Sequence, residues 1–442
     1  MAFQLSQQQG NAVKKIKDWF KNSSAIKRVF VLAGFAGTGK STILPDILND
    51  LGISVGEVAF CAPTGKAAKV MGEKLRAQGI KAYPTTIHSL IYTPKPQKAE
   101  FLERELAGLQ EHYVNVKAGN AALGEFSSLR ELEKKIDIIT KDLDRAYTIT
   151  DLHFNLNPDS KLVSENKKLI IVDEASMCGK QMAGDLLDFD IPVLAIGDPG
   201  QLPPVGDEPG FLDDSPDFFL TEVHRQAAEN PIIHLATLVR KGERGDYGDY
   251  GGGVMIVRPK DDRFSLDLDR DAQIIVGTNR NRWRLTSRIR KTGGYLDTAP
   301  MTGEPLIMCK NSKQYPDLVN GTQIYSADDH GMMDDGAARY LLKAYDEEGN
   351  LKPMYVVQAL FEQHIKRDPT YATASKSAVY QAKLKDNHVD FGWAITCHKS
   401  QGSQWDEVIV HDESHVFRES ADQWLYTAIT RAAERLIIVA PD

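Results

Sequence analysis

Hydrophobic positions recur along this chain with two different periods. In the first 22 residues, Ala12, Val13, Ile16, Trp19 and Phe20 fall on one helix face, and Ser6 stands where a cap belongs. Val29-Phe30-Val31-Leu32-Ala33 is then an unbroken apolar run ending at a glycine-rich stretch, as a parallel strand buried on both faces would read. The spacing predicts a helix from about Lys40 to Leu51, a strand at Val58–Ala62 and a helix from Gly65 to Gln78. That alternation is the mark of a doubly wound α/β sheet. The same rhythm returns at Leu169–Val172 and Val193–Ile196, and again at Gln273–Val276 and Leu436–Val439.

Two stretches break the rhythm. Residues 93–165 open with Pro94 and Pro96 and carry helical patterns around 99–111 and 128–145, so they read as an insertion. Residues 295–385 read as β-rich, with turn signals at Asp328-Asp329-His330-Gly331 and Glu347-Glu348-Gly349-Asn350 and a tight hairpin expected at Asn320-Gly321-Thr322. The six glycines between Gly242 and Gly253 predict a flexible loop or linker.

Composition narrows the class. A chain of 442 residues sets a prior of two to four domains. With 42% hydrophobic and 26% charged residues it is an ordinary globular chain, not a disordered one. No apolar run reaches the roughly 18–20 residues that span a bilayer, and the N-terminus lacks a secretory pattern. Cys61, Cys178, Cys309 and Cys397 are widely spaced with no C-x-x-C pair, so neither a zinc site nor a disulfide framework is expected. A reduced, cytoplasmic protein is the expectation. The net charge of −8 weighs against a protein that coats nucleic acid, but leaves room for a local basic groove.

Gly34-Phe35-Ala36-Gly37-Thr38-Gly39-Lys40-Ser41 fits G-x-x-x-x-G-K-[ST] between a predicted strand and a predicted helix. In such a loop the glycines let backbone N–H groups face phosphates, and the helix N-terminus adds positive potential. Lys40 would reach the β- and γ-phosphates, and the Ser41 hydroxyl would ligate Mg²⁺. Asp173 and Glu174 follow the apolar run Leu169–Val172. Asp173 is the expected second metal residue, and Glu174 the group that orients or activates the attacking water. These motifs predict a nucleoside triphosphate hydrolase without saying what hydrolysis drives.

Further segments answer that. They are Ala62-Pro63-Thr64-Gly65-Lys66, Thr86-Ile87-His88-Ser89-Leu90, Gly197-Asp198-Pro199-Gly200-Gln201-Leu202-Pro203-Pro204-Val205, Leu220-Thr221-Glu222-Val223-His224-Arg225-Gln226, Thr396-Cys397-His398-Lys399-Ser400-Gln401-Gly402-Ser403-Gln404 and Leu425-Tyr426-Thr427-Ala428-Ile429-Thr430-Arg431-Ala432. Together with the phosphate loop and the acid pair they resemble superfamily 1B DNA helicases of the RecD-like branch, particularly the phage Dda type, from about Gln9 to Ile438. The resemblance implies two RecA-like P-loop domains, each a parallel sheet flanked by helices, with ATP and Mg²⁺ bound between them. The first would comprise 1–92 and 166–230, with a pin-type subdomain inserted at 93–165. The second would comprise 231–294 and 386–442, with a β-rich, SH3-like subdomain inserted at 295–385. It implies 5′→3′ translocation on single-stranded DNA and unwinding of duplex or forked DNA.

Residue roles carry over where the motifs match. Gln9 stands where an adenine-reading glutamine lies, with Gln7 and Gln8 beside it. Thr42, Gly402 and Gln404 join Gly34, Gly37, Thr38, Gly39, Lys40 and Ser41 as expected nucleotide-site residues. Gln404 departs from the usual glutamate, which removes charge assistance toward a sugar hydroxyl. Gln201 would sense the γ-phosphate, and Arg225 and Arg431 would approach it from the cleft. The alternative for each arginine is a surface salt bridge worth about 0–1 kcal/mol. Thr64, Lys66, His88, Thr396 and His398 match positions that touch the strand. Phe101, Tyr113, Phe126, Tyr147 and Phe154 are candidates for a wedge or for the core of the insertion.

Arg280, Arg282, Arg284, Arg288, Arg290 and Lys291 form a cluster without an acid among them. Arg280, Arg284 and Arg288 share a helix face, and Trp283, Leu285 and Ile289 are expected beneath it. The cluster reads either as a solvated face with acidic contacts elsewhere or as a surface that tracks a phosphate backbone. The other functional readings are an RNA helicase or remodeller of RNA–protein complexes, a non-motor P-loop kinase, and a subunit of a nuclease complex. The short stretch ahead of Gln9 predicts no additional docking domain. A monomer is expected to suffice, with single-strand-binding protein or replisome components as partners.

Overall fold

The computed structural model describes residues 5–22, 26–94, 98–148, 154–212, 215–222, 229–259, 272–295, 297–328 and 338–441. Two α/β sheets form its centre. The first contains β1 (Val29–Gly34), β2 (Val58–Ala62), β3 (Thr85–Thr86), β6 (Leu169–Val172), β7 (Val193–Gly197) and β8 (Phe218–Leu220), all parallel, in the order β3-β2-β6-β7-β1-β8. Its strands are apolar throughout because both faces are covered. Phe30, Leu32, Phe60, Leu169, Ile171, Leu194 and Ile196 pack on the helices Gln7–Asn22 and Leu44–Leu51. The alternate residues Ala59, Cys61, Ile170, Val172, Val193 and Ala195 pack on the opposite side with Ile87, Leu90 and Leu186. The strand order sets β6, β7 and β1 side by side. The loops leaving their carboxyl ends are therefore neighbours at the edge where α/β sheets bind ligands.

The second sheet contains β9 (Gly248–Gly251), β10 (Val254–Val257), β11 (Gln273–Val276), β17 (Ala394–Thr396), β18 (Trp405–His411) and β19 (Ala432–Val439), in the order β17-β11-β18-β19-β10-β9. Its pairings are parallel except at the edge, where β9 runs antiparallel to β10. Here the structure corrects an expectation: the glycine-rich tract is a hairpin rather than a linker. Gly251, Gly252 and Gly253 have φ of 82°, 60° and 77°, so this tight turn is one that glycines close without strain.

Both insertions take definite form. Residues 93–165 hold the helices Lys98–Lys117 and Leu129–Thr148, with β4 (Tyr92–Pro94) and β5 (Phe154–Leu156) paired antiparallel at their base. The β-rich stretch supplies β12 (Pro305–Met308), β13 (Gln323–Ser326), β14 (Arg339–Tyr345) and β15 (Leu351–Val357), then the helices Gln358–Lys366 and Lys376–Lys385. Its fifth strand, β16 (Val389–Phe391), lies beyond residue 385, where the sequence pattern ended the stretch. The Val357 N–H donates to the Asn387 carbonyl, and the Asn387 N–H to that of Tyr355. The chain entering β16 thereby meets the far edge strand, and the sheet curls closed.

Asn320-Gly321-Thr322 is not a two-residue hairpin, because β12 and β13 are joined by residues 309–322. Gly321 closes the end of that longer loop, donating its N–H to Met308 O. Glu347-Glu348-Gly349-Asn350 does turn between β14 and β15, with the Asp346 N–H donating to Asn350 O. Residues 329–331 of the other turn signal lie outside the described residues. No helix among the described residues is long and apolar enough to cross a membrane.

Candidate functional site

The phosphate loop leaves β1 and enters a short 3-10 turn at Ser41–Ile43 before the α-helix begins at Leu44, so the expected helix from Lys40 starts late. Gly37 and Gly39 have φ of 79° and 72°, which a side chain would oppose. A Cβ on Gly34 would stand 2.8 Å from Thr38 Oγ1 and 3.0 Å from Lys40 Cγ. Lys40 Nζ donates to the carbonyls of Gly34 (2.6 Å) and Phe35 (3.0 Å) and stands 3.8 Å from Asp198 Oδ2. Gln9 is buried, and its amide donates to Thr38 O at 3.3 Å. The neighbouring Gln8 instead accepts from the Thr221 and Glu222 N–H groups. Of the glutamine run, the residue that reaches the phosphate loop is Gln9.

The loops after β6 and β7 carry the acids. Burial pushes the Asp173 carboxyl up, and the Glu174 charge adds to this. Glu174 holds a left-handed backbone, φ 52°, and donates its N–H to Asp173 Oδ1. A non-glycine residue there costs about 1–2 kcal/mol. Gln201 is buried, and its Oε1 has no hydrogen-bond partner among the described residues. An orphaned buried acceptor costs about 1–3 kcal/mol. Among the described residues no three acids, histidines or cysteines gather as a metal cage.

The second sheet brings its own residues to this edge. Arg431 is 5% exposed. Its guanidinium donates to Thr427 O (3.0 Å), Ser403 O (3.2 Å) and Thr430 Oγ1 (3.2 Å), with no carboxylate partner among the described residues. It is not a surface salt bridge. Arg225 lies outside the described residues. Gln404 is exposed, and Gly402 packs where a Cβ would come 2.8 Å from Ala67 Cβ, against the helix Gly65–Ala77. Ser41 is half-buried and Thr42 donates to Gly39 O.

Sequence reasoning assigned no role to three further residues here. Asp198 and Tyr426 stood in quoted motifs, and their hydroxyl–carboxylate bond (2.7 Å) crosses between the two sheets. Arg240 ends the helix Pro231–Arg240, and its guanidinium lies 3.4 Å from the Phe35 ring centroid. Nothing in the local sequence marks it.

The expected strand-contacting residues lie in three places: Thr64 and Lys66 at the start of the helix Gly65–Ala77, His88 on the short helix Ile87–Ile91, and Thr396 and His398 at the end of β17. Thr64 Oγ1 caps the helix Gly65–Ala77 by accepting from Ala67 N. Lys66 bonds Glu347, in the β14–β15 turn, at 2.7 Å, and Lys69 bonds the same carboxylate at 3.3 Å. Burial works against the Glu347 charge, but the two lysines outweigh it and hold the carboxyl below its usual range. His88 is exposed, with its ring 5.3 Å from that of Tyr92. Thr396 and His398 are half-buried at the end of β17, the His398 ring 5.7 Å from Phe417.

A family described as an AAA domain matches residues 4–251, and the UvrD-like helicase C-terminal domain matches residues 391–439. The ATP-dependent RecD2 DNA helicase of Deinococcus radiodurans is 27% identical over 425 residues, covering 92% of this chain and 46% of that protein. An uncharacterized protein of Methanocaldococcus jannaschii is 24% identical, covering 94% of this chain and 37% of its own length. This chain thus spans less than half of the curated relatives it matches over most of its length. A Bacteroides Pif1 solved bound to single-stranded DNA superposes with a TM-score of 0.50 at 16% identity, covering 100% of this chain and 95% of that one, a likeness of fold. With the AAA-domain model spanning more than half of its residues, the chain belongs to the AAA-domain family.

Proposed function

We propose that the chain is an ATP-dependent DNA helicase that moves 5′→3′ on single-stranded DNA and unwinds the duplex ahead of it. One observation carries the reading: side chains of the second sheet's domain reach the phosphate loop of the first, with Tyr426, on the helix Ala421–Ile429, accepting from Ala36 N–H at 2.9 Å and a buried Arg431 just beyond that helix. A cleft built from two such domains opens and closes as nucleotide is turned over, and the motion can move two strand grips relative to each other. The grips would be Thr64 and Lys66 on one side and Thr396 and His398 on the other.

The roles follow from the side chains present. Lys40 would neutralise phosphate charge, Glu174 would orient water, and Gln201 would use its orphaned Oε1 toward that water or the γ-phosphate. Arg431, and Arg225 by its motif, would stabilise the transferring phosphoryl group; a planar guanidinium suits that charge. Gln9 would read the adenine edge. Ser41 and Asp173 offer the hydroxyl and carboxylate oxygens that suit magnesium, and burial beside Glu174 leaves Asp173 short of positive charge. When bound, the ion would offset phosphate charge as it develops during transfer. The partners would be single-stranded and forked DNA.

The test is unwinding of matched duplexes carrying only a 5′ or only a 3′ single-stranded tail, with ATP and magnesium and with Lys40→Ala as control. Unwinding from the 5′ tail alone, lost in the control, is expected. Unwinding from the 3′ tail alone would overturn the polarity, and hydrolysis indifferent to any polynucleotide would overturn the motor.

A further inference from the structure

We propose that Tyr426 is a positioning residue that couples the phosphate loop to the arginine-bearing helix across the cleft, an inference that rests on the ATPase reading above. Tyr426 is 2% exposed on the helix Ala421–Ile429 of the second domain. Its hydroxyl contacts two groups of the first domain, Ala36 N at 2.9 Å and Asp198 Oδ2 at 2.7 Å. The direction of both bonds is fixed, since an amide N–H can only donate and a carboxylate can only accept. Burial, and then the Asp198 charge, push the phenol up, so it keeps the proton it donates.

Asp198 extends the bridge. Its other oxygen accepts the Gly200 N–H at 2.9 Å, at the start of the turn that carries Gln201, and Lys40 Nζ stands 3.8 Å away. A Cβ on Gly200 would come 3.0 Å from the Tyr426 ring, so the ring packs tightly against this glycine. One turn of the same helix also binds Leu202 N through Thr427 Oγ1 (2.8 Å) and holds the Arg431 guanidinium through Thr427 O. Any shift of the segment carrying Arg431 must therefore drag the phosphate loop and the Gln201 turn, or break the hydroxyl bridge.

Tyr426→Phe keeps the ring and removes the bridge. Steady-state ATP hydrolysis would be measured on the full chain with and without oligothymidylate, alongside thermal melting. The expected result is a stimulation ratio lowered about tenfold, the worth of one charge-assisted hydrogen bond, with KM for ATP changed by no more than about twofold. Amide exchange over residues 34–42 should respond to oligothymidylate in the parent and not in the variant. A folded Tyr426→Phe protein that keeps both the ratio and the exchange response overturns the inference. A parent that does not hydrolyse ATP overturns the ATPase reading itself. Should Tyr426→Phe not fold, Asp198→Asn weakens the same bridge from the other end, and an undiminished exchange response there overturns the coupling.

Discussion

Two backbone carbonyls and a threonine hydroxyl of its own domain hold the Arg431 guanidinium, and no carboxylate among the described residues neutralises it. A buried cation without a counter-charge is costly unless an anion visits, and the transferring phosphoryl group is such an anion. Arg431→Ala should lower the hydrolysis rate by about 10³-fold or more. Arg431→Lys should recover little of it, because an ammonium lacks the planar fork. A folded Arg431→Ala protein within about tenfold of the parent rate would make the arginine a structural clamp. Residues of this kind were legible in the sequence because motif order carries them. Tyr426 and Asp198 were legible only as letters of a motif, since a hydrogen bond between a helix and a loop 228 residues apart leaves no local pattern. Arg240, stacked on Phe35, left no signal at all.

At the scale of one element, the helix Asn279–Thr292 shows where a charge pattern misleads. Arg280, Arg284 and Arg288 do share an exposed face, and Leu285 is buried beneath it. Arg282 and Arg290, however, are buried. Arg282 pairs with Asp390 at 2.9 Å, and Arg290 clamps both oxygens of Glu304 at 2.6 and 2.9 Å. The anions come from the inserted sheet, so a window containing only cations could not reveal them. Breaking such a pair leaves an uncompensated charge, and Arg282→Ala should cost about 3–5 kcal/mol, read as a lowered melting temperature or denaturation midpoint. An unchanged midpoint would contradict the buried pair. The exposed face carries a second prediction through His411 at the end of β18. Burial, and then Arg284 and Arg288, lower its pKa to about 4. The unfolded imidazole titrates near 6.5, so between those values the unfolded chain binds the extra proton, and stability present above pH 6.5 falls as the pH drops toward 4. From pH 7 to 5 this residue should account for at most about 2 kcal/mol of loss. His411→Gln should flatten the slope of melting temperature against pH, and an identical slope would rule the residue out.

At the scale of the molecule, the inserted helical pair is braced from the opposite half of the chain. Leu102, Ile139, Leu143 and Ala146 enclose Tyr380 of the helix Lys376–Lys385, and Gln381 donates to Glu103 at 3.0 Å. The sequence showed each insertion but not their meeting, because neither helical pattern names the surface that buries it. Of the wedge candidates, Phe101 is exposed, the Tyr113 hydroxyl bonds Glu133 and the Phe126 ring packs near His112, while the side chains of Tyr147 and Phe154 lie outside the described set. If the proposed helicase reading holds, whichever group meets the fork can split base pairs only if its support resists the load. Tyr380 is a buried ring of that support and lies far in sequence from every phosphate-loop residue. Tyr380→Ala removes a buried aromatic ring at a local cost of about 3–5 kcal/mol, borne by the brace rather than by the two central sheets. Hydrolysis stimulated by single-stranded DNA should therefore stay within about twofold of the parent, while unwinding of a tailed duplex falls by an order of magnitude or more. Tyr380→Phe keeps the ring and should unwind like the parent. Equal loss of hydrolysis and unwinding in Tyr380→Ala would mean that the insertion is part of the motor's core, and unwinding at the parent rate would mean that the brace carries no load.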